Sequence, residues 1–193
     1  MNKTSNKKTD EKLISEAING NKNSLAEIVI RYEQTVYNFA FKICRDKEKA
    51  EHAMQETFLS MVKSLKQFSG KSKLSTWLYT IVSNHCLMLI RSKKKYDYAV
   101  LESDEDLIDN KVITDWKYSP EKIAENNELK KILDNAIEKL PHDYKVVFLL
   151  RDIEGLSTKE TSKIVNLSVP AIKSRLHRAR AFLRNELDKT LHL

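Results

Sequence analysis

The chain has 193 residues, of which 34 are Lys or Arg and 27 are Asp or Glu, so its formal net charge at pH 7 is +7. Two cysteines are too few for a disulfide framework, and no apolar run approaches the ~18 residues of a membrane span. The basic N-terminus has no apolar segment after it, which argues against a secretory signal and favours a cytoplasmic protein. We therefore expect Cys44 and Cys86 to be reduced core thiols.

The charge is unevenly distributed along the chain. Residues 97–128 contain ten acidic and three basic residues. The rest of the chain has 31 basic and 17 acidic residues, a net charge of +14. A basic surface kept apart from an acidic middle favours nucleic acid or another anionic partner.

Four helices are predicted in the N-terminal half, over 10–19, from Ser24, over 47–67 and over 75–93. The second opens with "SLAE", in which Ser24 and Glu27 are expected to form a capping box. In the third predicted helix, Phe58 is expected to face the core. The fourth is apolar on several faces, which predicts a central position in a helical bundle.

The second half begins with an acid-rich segment, 97–119, that loses the helical period and predicts a linker. Helices are then predicted over 121–140, over 141–155, over 158–165 and from Ser168 onward. Ser157 and Glu160 form a second candidate capping box, and Ser168 can cap the last helix. The sequence thus predicts an all-α fold of two small helical domains, at 10–95 and 121–190, joined by an acidic linker at 96–120.

The last two predicted helices and the three-residue turn between them form a helix-turn-helix, whose second helix can enter a major groove. That helix has an apolar stripe at helical spacing: Ile172, Leu176, Ala179, Leu183 and Leu187. Another face has a basic stripe that is expected to be uncompensated: Lys173, His177, Arg180 and Arg184. The side chains expected to reach base edges are Lys173, Ser174, Arg175, His177 and Arg178. The alternative is a solvated basic face on a structural helix.

A second candidate site lies in the segment 68–95, where aromatic residues stand beside cations. Its members are Phe68, Lys71, Lys73, Trp77, Tyr79, Arg91, Lys93, Lys94 and Lys95. Aromatic rings beside a basic track suit single-stranded nucleic acid, because unpaired bases stack and the backbone is charged. The alternative is that Trp77 is a core residue and the final cations only complement a helix dipole.

Together, these segments resemble the extracytoplasmic-function group of sigma-70-family sigma factors. The resemblance covers nearly all of residues 10–190 and is carried by "AEHAMQETFLSMVKSLKQF", "LSTWLYTIVSNHCLMLIR" and "LPHDYKVVFLLRDIEGLSTKETSKIVNLSVPAIKSRLHRARAFLR". They look like that family's regions 2 and 4. The resemblance implies a non-catalytic subunit that binds core RNA polymerase and promoter DNA, with an anti-sigma factor as a further partner.

The resemblance also implies roles for individual residues. Region 2 would dock on the β′ clamp helices through Gln55, Glu56 and Phe58. It would hold the melted −10 element with Phe68, Lys71, Lys73, Trp77, Asn84, Arg91 and Lys94. Region 4 would sit on the β flap and read the −35 element with Ser168, Lys173, Ser174, Arg175, His177 and Arg178. The linker would thread toward the RNA exit channel, where its acids could occupy a basic channel until RNA displaces them.

The sequence departs from the common family pattern at His52, Thr80 and Met88, which affects fine details of polymerase contact and −10 readout. A rival interpretation is a conventional helix-turn-helix regulator that binds palindromic DNA as a dimer without polymerase. The "QETF" and "LSTWLY" segments argue against it. An enzyme is disfavoured because no phosphate loop or nucleophile–base arrangement is present. His85 beside Cys86 lacks zinc's four-ligand spacing, so neither a metal nor a cofactor is expected.

Overall fold

The computed structural model describes residues 8–91 and 127–191, and every regular element in these two ranges is helical. The predicted all-α fold is confirmed. The chain divides into two compact units between Cys86 and Leu87, inside the fourth helix. We refer to them as the N-terminal unit and the C-terminal unit. The predicted linker at 96–120 lies outside the described residues, and so do Lys93, Lys94 and Lys95.

The N-terminal unit begins with α1 (Asp10–Ile18) and α2 (Lys22–Cys44). The predicted capping box of Ser24 and Glu27 is wrong. Asn21 caps α2 instead, because its Oδ1 accepts hydrogen bonds from the backbone N–H of Asn23 at 3.0 Å and of Ser24 at 3.1 Å. Ser24 is already inside the helix and buried, and its hydroxyl donates to Glu16 on α1.

Arg31 on α2 ties the first two helices together. Its Nη1 lies 2.7 Å from Asp10 Oδ1 on α1, and its Nη2 lies 2.7 Å from Glu27 Oε1 one turn back. The hydroxyl of Tyr32 donates to the same Asp10 carboxylate. Burial and this hydrogen bond raise the pKa of Tyr32. The start of the described chain is thus anchored to α2 by charged hydrogen bonds as well as by the buried side chain of Leu13.

Two further helices complete the unit, α3 (Lys47–Ser64), which tightens into a 3₁₀ turn (Leu65–Gln67), and α4 (Leu74–Arg91). Arg45 adopts a left-handed conformation (φ 50°) between α2 and α3, and Asp46 caps α3. Buried residues recur around α4, and they are Leu74, Thr76, Leu78, Tyr79, Val82, Ser83 and Cys86. α4 is thus buried over a broad part of its surface, as its apolar sequence predicted.

The C-terminal unit contains α5 (Asn127–Lys139), α6 (His142–Phe148), α7 (Thr158–Val165) and α8 (Val169–Leu191). A π-helical turn (Leu149–Ile153) extends α6, and Gly155 (φ 68°) supplies the left-handed residue that ends it. The predicted apolar stripe of α8 is confirmed, since all five residues are buried. They pack in one cluster with α5 and α6 residues such as Leu133, Ile137 and Phe148.

Candidate nucleic-acid and polymerase interfaces

In the C-terminal unit, α7 and α8 form the predicted helix-turn-helix. The capping box that opens α7 is present: Ser157 Oγ accepts from the Glu160 N–H at 3.2 Å, and Glu160 Oε2 accepts from the Ser157 N–H at 2.8 Å. Asn166 adopts a left-handed conformation (φ 53°) after α7, and the Ser162 hydroxyl donates to the Leu167 carbonyl inside the turn. These local bonds fix where α8 begins.

Ser168 caps α8, as predicted, because its Oγ accepts from the Ala171 N–H at 3.3 Å. Its side chain is exposed, and the side chains of Lys173 and Ser174 in the first turns are exposed as well. His177 and Arg178 are half-buried. The N-terminal part of α8 therefore presents a polar and basic surface of the kind that a major groove accepts.

The expectation of an uncompensated basic stripe on α8 is wrong at Arg180. The Nε and Nη2 atoms of Arg180 donate to the two carboxylate oxygens of Asp152 at 2.8 and 2.7 Å. This hydrogen bonding raises the pKa of Arg180 against the opposing effect of burial. Arg180 is therefore engaged by the π-helical turn of its own unit, and its charge is locally neutralised.

Arg175, a predicted base-reading residue, is also partly engaged. Its Nη1 lies 3.5 Å from Asp143 Oδ2 in α6, and its guanidinium carbon lies 5.8 Å from the centre of the Tyr144 ring. These contacts hold a long side chain in one orientation. Sequence reasoning missed Asp143 and Asp152 because both lie in a different helical segment, about 30 residues before their partners.

The second candidate site, in the N-terminal unit, is organised around two aromatic rings. Phe68, just after the 3₁₀ turn, packs on Trp77 of α4 with 5.0 Å between ring centres and 38° between planes. Both side chains are half-buried, so Trp77 is neither a core residue nor a free platform. Lys71 and Lys73 are exposed in the connecting loop, and Asn84 is exposed on α4.

Other aromatic and basic residues predicted around this site have a different placement. Tyr79 is buried and packs on Phe39 of α2, with 4.7 Å between ring centres, so it is a core residue and not a stacking surface. Arg91 is the last residue of α4, but its side chain lies outside the described part of the chain, and so does Lys94.

The third candidate surface is on α3. Gln55 is exposed and Glu56 is half-buried, whereas Phe58 is only 9% exposed and packs inward. Phe58 is therefore largely a core residue, and its direct contact with polymerase stays a prediction. The apolar residues that α3 does expose are Leu59, at 52%, and Val62, at 47%. They follow Gln55 at i+4 and i+7 on one helical face, a spacing that the sequence already contained.

Comparisons with known proteins agree with this arrangement. Residues 28–96 match the family model "Sigma-70 region 2", and residues 130–183 match "Sigma-70, region 4". The ECF RNA polymerase sigma factor SigW of Bacillus subtilis is 33% identical over 180 residues, covering 92% of this chain and 96% of SigW. The chain belongs to the extracytoplasmic-function (ECF) sigma factors. It is thus an alternative sigma factor of RNA polymerase.

Other sigma factors give the same result. The RNA polymerase sigma-H factor of Pseudomonas aeruginosa is 26% identical over 184 residues, covering 94% of this sigma factor and 93% of that protein. Among solved structures, CnrH in complex with the cytosolic domain of CnrY matches with a TM-score of 0.64 at 24% identity, covering 93% of this chain and 97% of CnrH. This structural match supports the fold.

The described residues contain no helix long and apolar enough to span a membrane. They also contain no group of three or more His, Cys, Asp or Glu side chains placed to hold a metal ion.

Proposed function

We propose that the C-terminal unit of this sigma factor reads the duplex −35 element with the first turns of α8. The observation that carries this assignment is the division of cations on α8: Lys173 is exposed, whereas Arg180 is paired with Asp152. Lys173 and Ser174 would contact the groove, Arg175 would approach it from its position over Tyr144, and His177 and Arg178 would flank these contacts. Exposed Lys159 and Lys163 on α7 would bind phosphates.

The N-terminal unit would capture the −10 element as a melted single strand. Phe68 and Trp77 support each other, so the loop between them has a rigid aromatic base, with Lys71 and Lys73 placed for the phosphate backbone. Asn84 on α4 is exposed and could hydrogen-bond an extruded base. Arg91 and Lys94 would extend the basic track.

Core polymerase would bind the exposed face of α3. We assign the contact with the β′ clamp helices to Gln55, Leu59 and Val62, with Glu56 at the edge. An exposed pair of apolar side chains beside a polar one is what a helix–helix interface requires. Phe58 would support this helix from the core. The C-terminal unit would sit on the β flap, and the segment 96–120 would pass toward the RNA exit channel.

Two weak modules on one chain gain specificity when polymerase fixes their spacing. Binding of one domain raises the effective concentration of the other at its promoter element. The protein would thus act in the cytoplasm as a dissociable, non-catalytic subunit of polymerase. CnrH and the Bartonella quintana sigma factor RpoE were each solved with a bound partner, CnrY and the anti-sigma factor NepR. By analogy, we propose that an anti-sigma factor holds this chain before release.

The decisive experiment is gel filtration of the purified chain with bacterial core RNA polymerase, followed by run-off transcription from a promoter library. Co-elution with selective initiation supports the proposal and yields the −35 and −10 sequences. Dimeric binding to palindromic duplex DNA, with no binding to core, would instead support a conventional helix-turn-helix regulator.

A further inference from the structure

The two cysteines of the chain lie near each other at the interface between α2 and α4. At this interface the ring of Phe39 on α2 contacts the ring of Tyr79 on α4, with 4.7 Å between their centres. Cys44 is the last residue of α2, five residues after Phe39, and Cys86 lies two turns after Tyr79 on α4. Their side chains are close enough to interact with each other. Both are reduced.

The two thiols differ in their exposure to solvent. Cys86 has no exposed surface, whereas Cys44 is half-buried and can be reached from solvent. The hydrogen bond with Cys44, together with burial, raises the pKa of Cys86. A reagent from solvent therefore meets the Cys44 sulfur first, while the buried Cys86 keeps its proton.

A cation also lies near Cys44. The pKa of Lys49 on α3 is raised by its hydrogen bond with Asp46, and a negative charge on Cys44 adds to this effect. The carbonyl end of α2 opposes a negative charge on Cys44, whereas the ammonium group of Lys49 favours it. Cys44 is thus a solvent-accessible thiol beside a second thiol, Cys86, and a cation, Lys49. Cysteines that take part in disulfide exchange have such surroundings.

We propose that Cys44 and Cys86 form a reversible intramolecular disulfide by exchange with a low-molecular-weight disulfide, and that Cys44 reacts first. The Cys44 thiolate attacks the small disulfide, which breaks its S–S bond, forms a mixed disulfide and releases one thiol. Cys86 then loses its proton and attacks the Cys44 sulfur, which releases the second thiol. The small disulfide is reduced to two thiols, and the two cysteines are oxidised to one disulfide.

The position of the pair decides what the bond would do. Cys44 ends α2 directly before the left-handed turn at Arg45, and Cys86 lies in α4, which carries Trp77. A disulfide would close a loop that contains all of α3 and would fix α4 against the α2–α3 turn. The oxidised N-terminal unit should therefore resist thermal unfolding better than the reduced one.

The test uses the full chain and oxidised glutathione as the probe, followed by mass spectrometry under non-reducing conditions. We expect the wild type to lose the mass of two hydrogen atoms, to yield a joined Cys44–Cys86 peptide and to recover its thiols with dithiothreitol. Cys86→Ala should stop at a glutathione adduct on Cys44. Cys44→Ser should not react while it is folded but should react in urea, which shows that the reagent reaches Cys86 only after unfolding.

Circular dichroism of each variant shows whether it is folded, and Cys86→Ser replaces Cys86→Ala if the latter is not. Thermal unfolding of the oxidised and reduced wild type should show a higher midpoint for the oxidised form. A wild type that keeps both thiols, that stops at the mixed disulfide, or that forms disulfides only between chains would overturn the proposal. This readout needs neither polymerase nor DNA.

Discussion

Arg180 and Asp152 form a two-point ion pair, with both carboxylate oxygens of Asp152 bound within 2.8 Å by the guanidinium of Arg180. The pair joins the middle of α8 to the π-helical turn after α6, so it fixes α8 within its own unit. Arg180 is thus a cation of α8 that holds the helix in place, whereas an exposed cation such as Lys173 is available to an anionic partner. A basic residue on a DNA-binding helix is therefore not by itself a DNA contact.

Replacement of Asp152 by Asn should lower the free energy of unfolding by about 1–2 kcal/mol. The pair is partly buried, and Arg180 would keep its charge without its partner, so the effect should exceed that of an ordinary surface pair. Urea titration followed by circular dichroism measures the loss. Asp188→Asn, an acid-to-amide change on the same helix, is the matched control and should stay within ~0.5 kcal/mol. Equal effects of the two variants would contradict a special role for Asp152.

Lys173→Ala and Arg180→Ala should separate DNA binding from stability. Lys173→Ala should weaken binding of the polymerase complex to promoter DNA and reduce the magnitude of the salt slope by about 1, because one phosphate or base contact is lost. Its thermal stability should be unchanged. Arg180→Ala should lower stability and, while folded, keep the wild-type salt slope. Fluorescence anisotropy over a salt series measures both slopes, and a reduced slope for Arg180→Ala would overturn the assignment.

The parts of this fold that sequence predicted are those set by neighbouring residues. The apolar stripe of α8, with Leu176 and Leu183, follows from the 3.6-residue period alone. The capping box of Ser157 and Glu160 was predicted because both partners lie in one turn. The same reasoning failed at Ser24, because Asn21 is an equally good cap three residues earlier and the partner of Ser24 is on another helix.

The candidate site was predicted less completely, for a related reason. The resemblance pointed to whole helices, but it did not distinguish outward from inward side chains within "QETF". Phe58 was assigned to polymerase although the helical period turned it inward, and the exposed Leu59 and Val62 were overlooked. The acids that neutralise Arg175 and Arg180 are far away in sequence, so only the packing of α6 and its π-helical turn against α8 reveals them.

The proposed polymerase contact of α3 can be tested by introducing a negative charge on its exposed apolar face. Leu59→Asp and Val62→Asp should each weaken binding to core polymerase at least tenfold, a cost of about 1.4 kcal/mol or more, because a carboxylate would be buried in an apolar contact. Their stability should stay near the wild type, since both side chains are exposed. Ile30→Asp, at an exposed apolar position on α2, is the matched control and should bind core normally.

Phe58→Ala should behave in the opposite way. It removes a buried aromatic side chain and should cost about 3–4 kcal/mol of stability in the N-terminal unit. At a temperature where the variant is still folded, its affinity for core should be close to that of the wild type. A binding titration alongside thermal unfolding distinguishes the two effects. Loss of core binding at wild-type stability would instead show that Phe58 contacts polymerase directly.

Glu186 provides a pH-dependent prediction in the C-terminal unit. Its carboxylate lies 2.5 Å from Lys139 Nζ of α5 and 3.2 Å from Lys189 Nζ of α8, and the bond with Lys139 is the main reason that its pKa is lowered. A carboxylate with a lowered folded-state pKa contributes stability that is complete above its unfolded pKa, near 4.5. That stability is lost as the pH falls through the folded-state value.

Glu186→Gln should therefore be less stable than the wild type at neutral pH and should lose less stability on acidification below the unfolded-state pKa. Because this variant removes the titrating group, the two stability curves should converge at low pH. Thermal unfolding between pH 7 and strongly acidic conditions measures both curves, and high salt should reduce the difference at neutral pH by screening the exposed Lys139. Parallel curves over the whole range would show that Glu186 does not couple α5 to α8 through its charge.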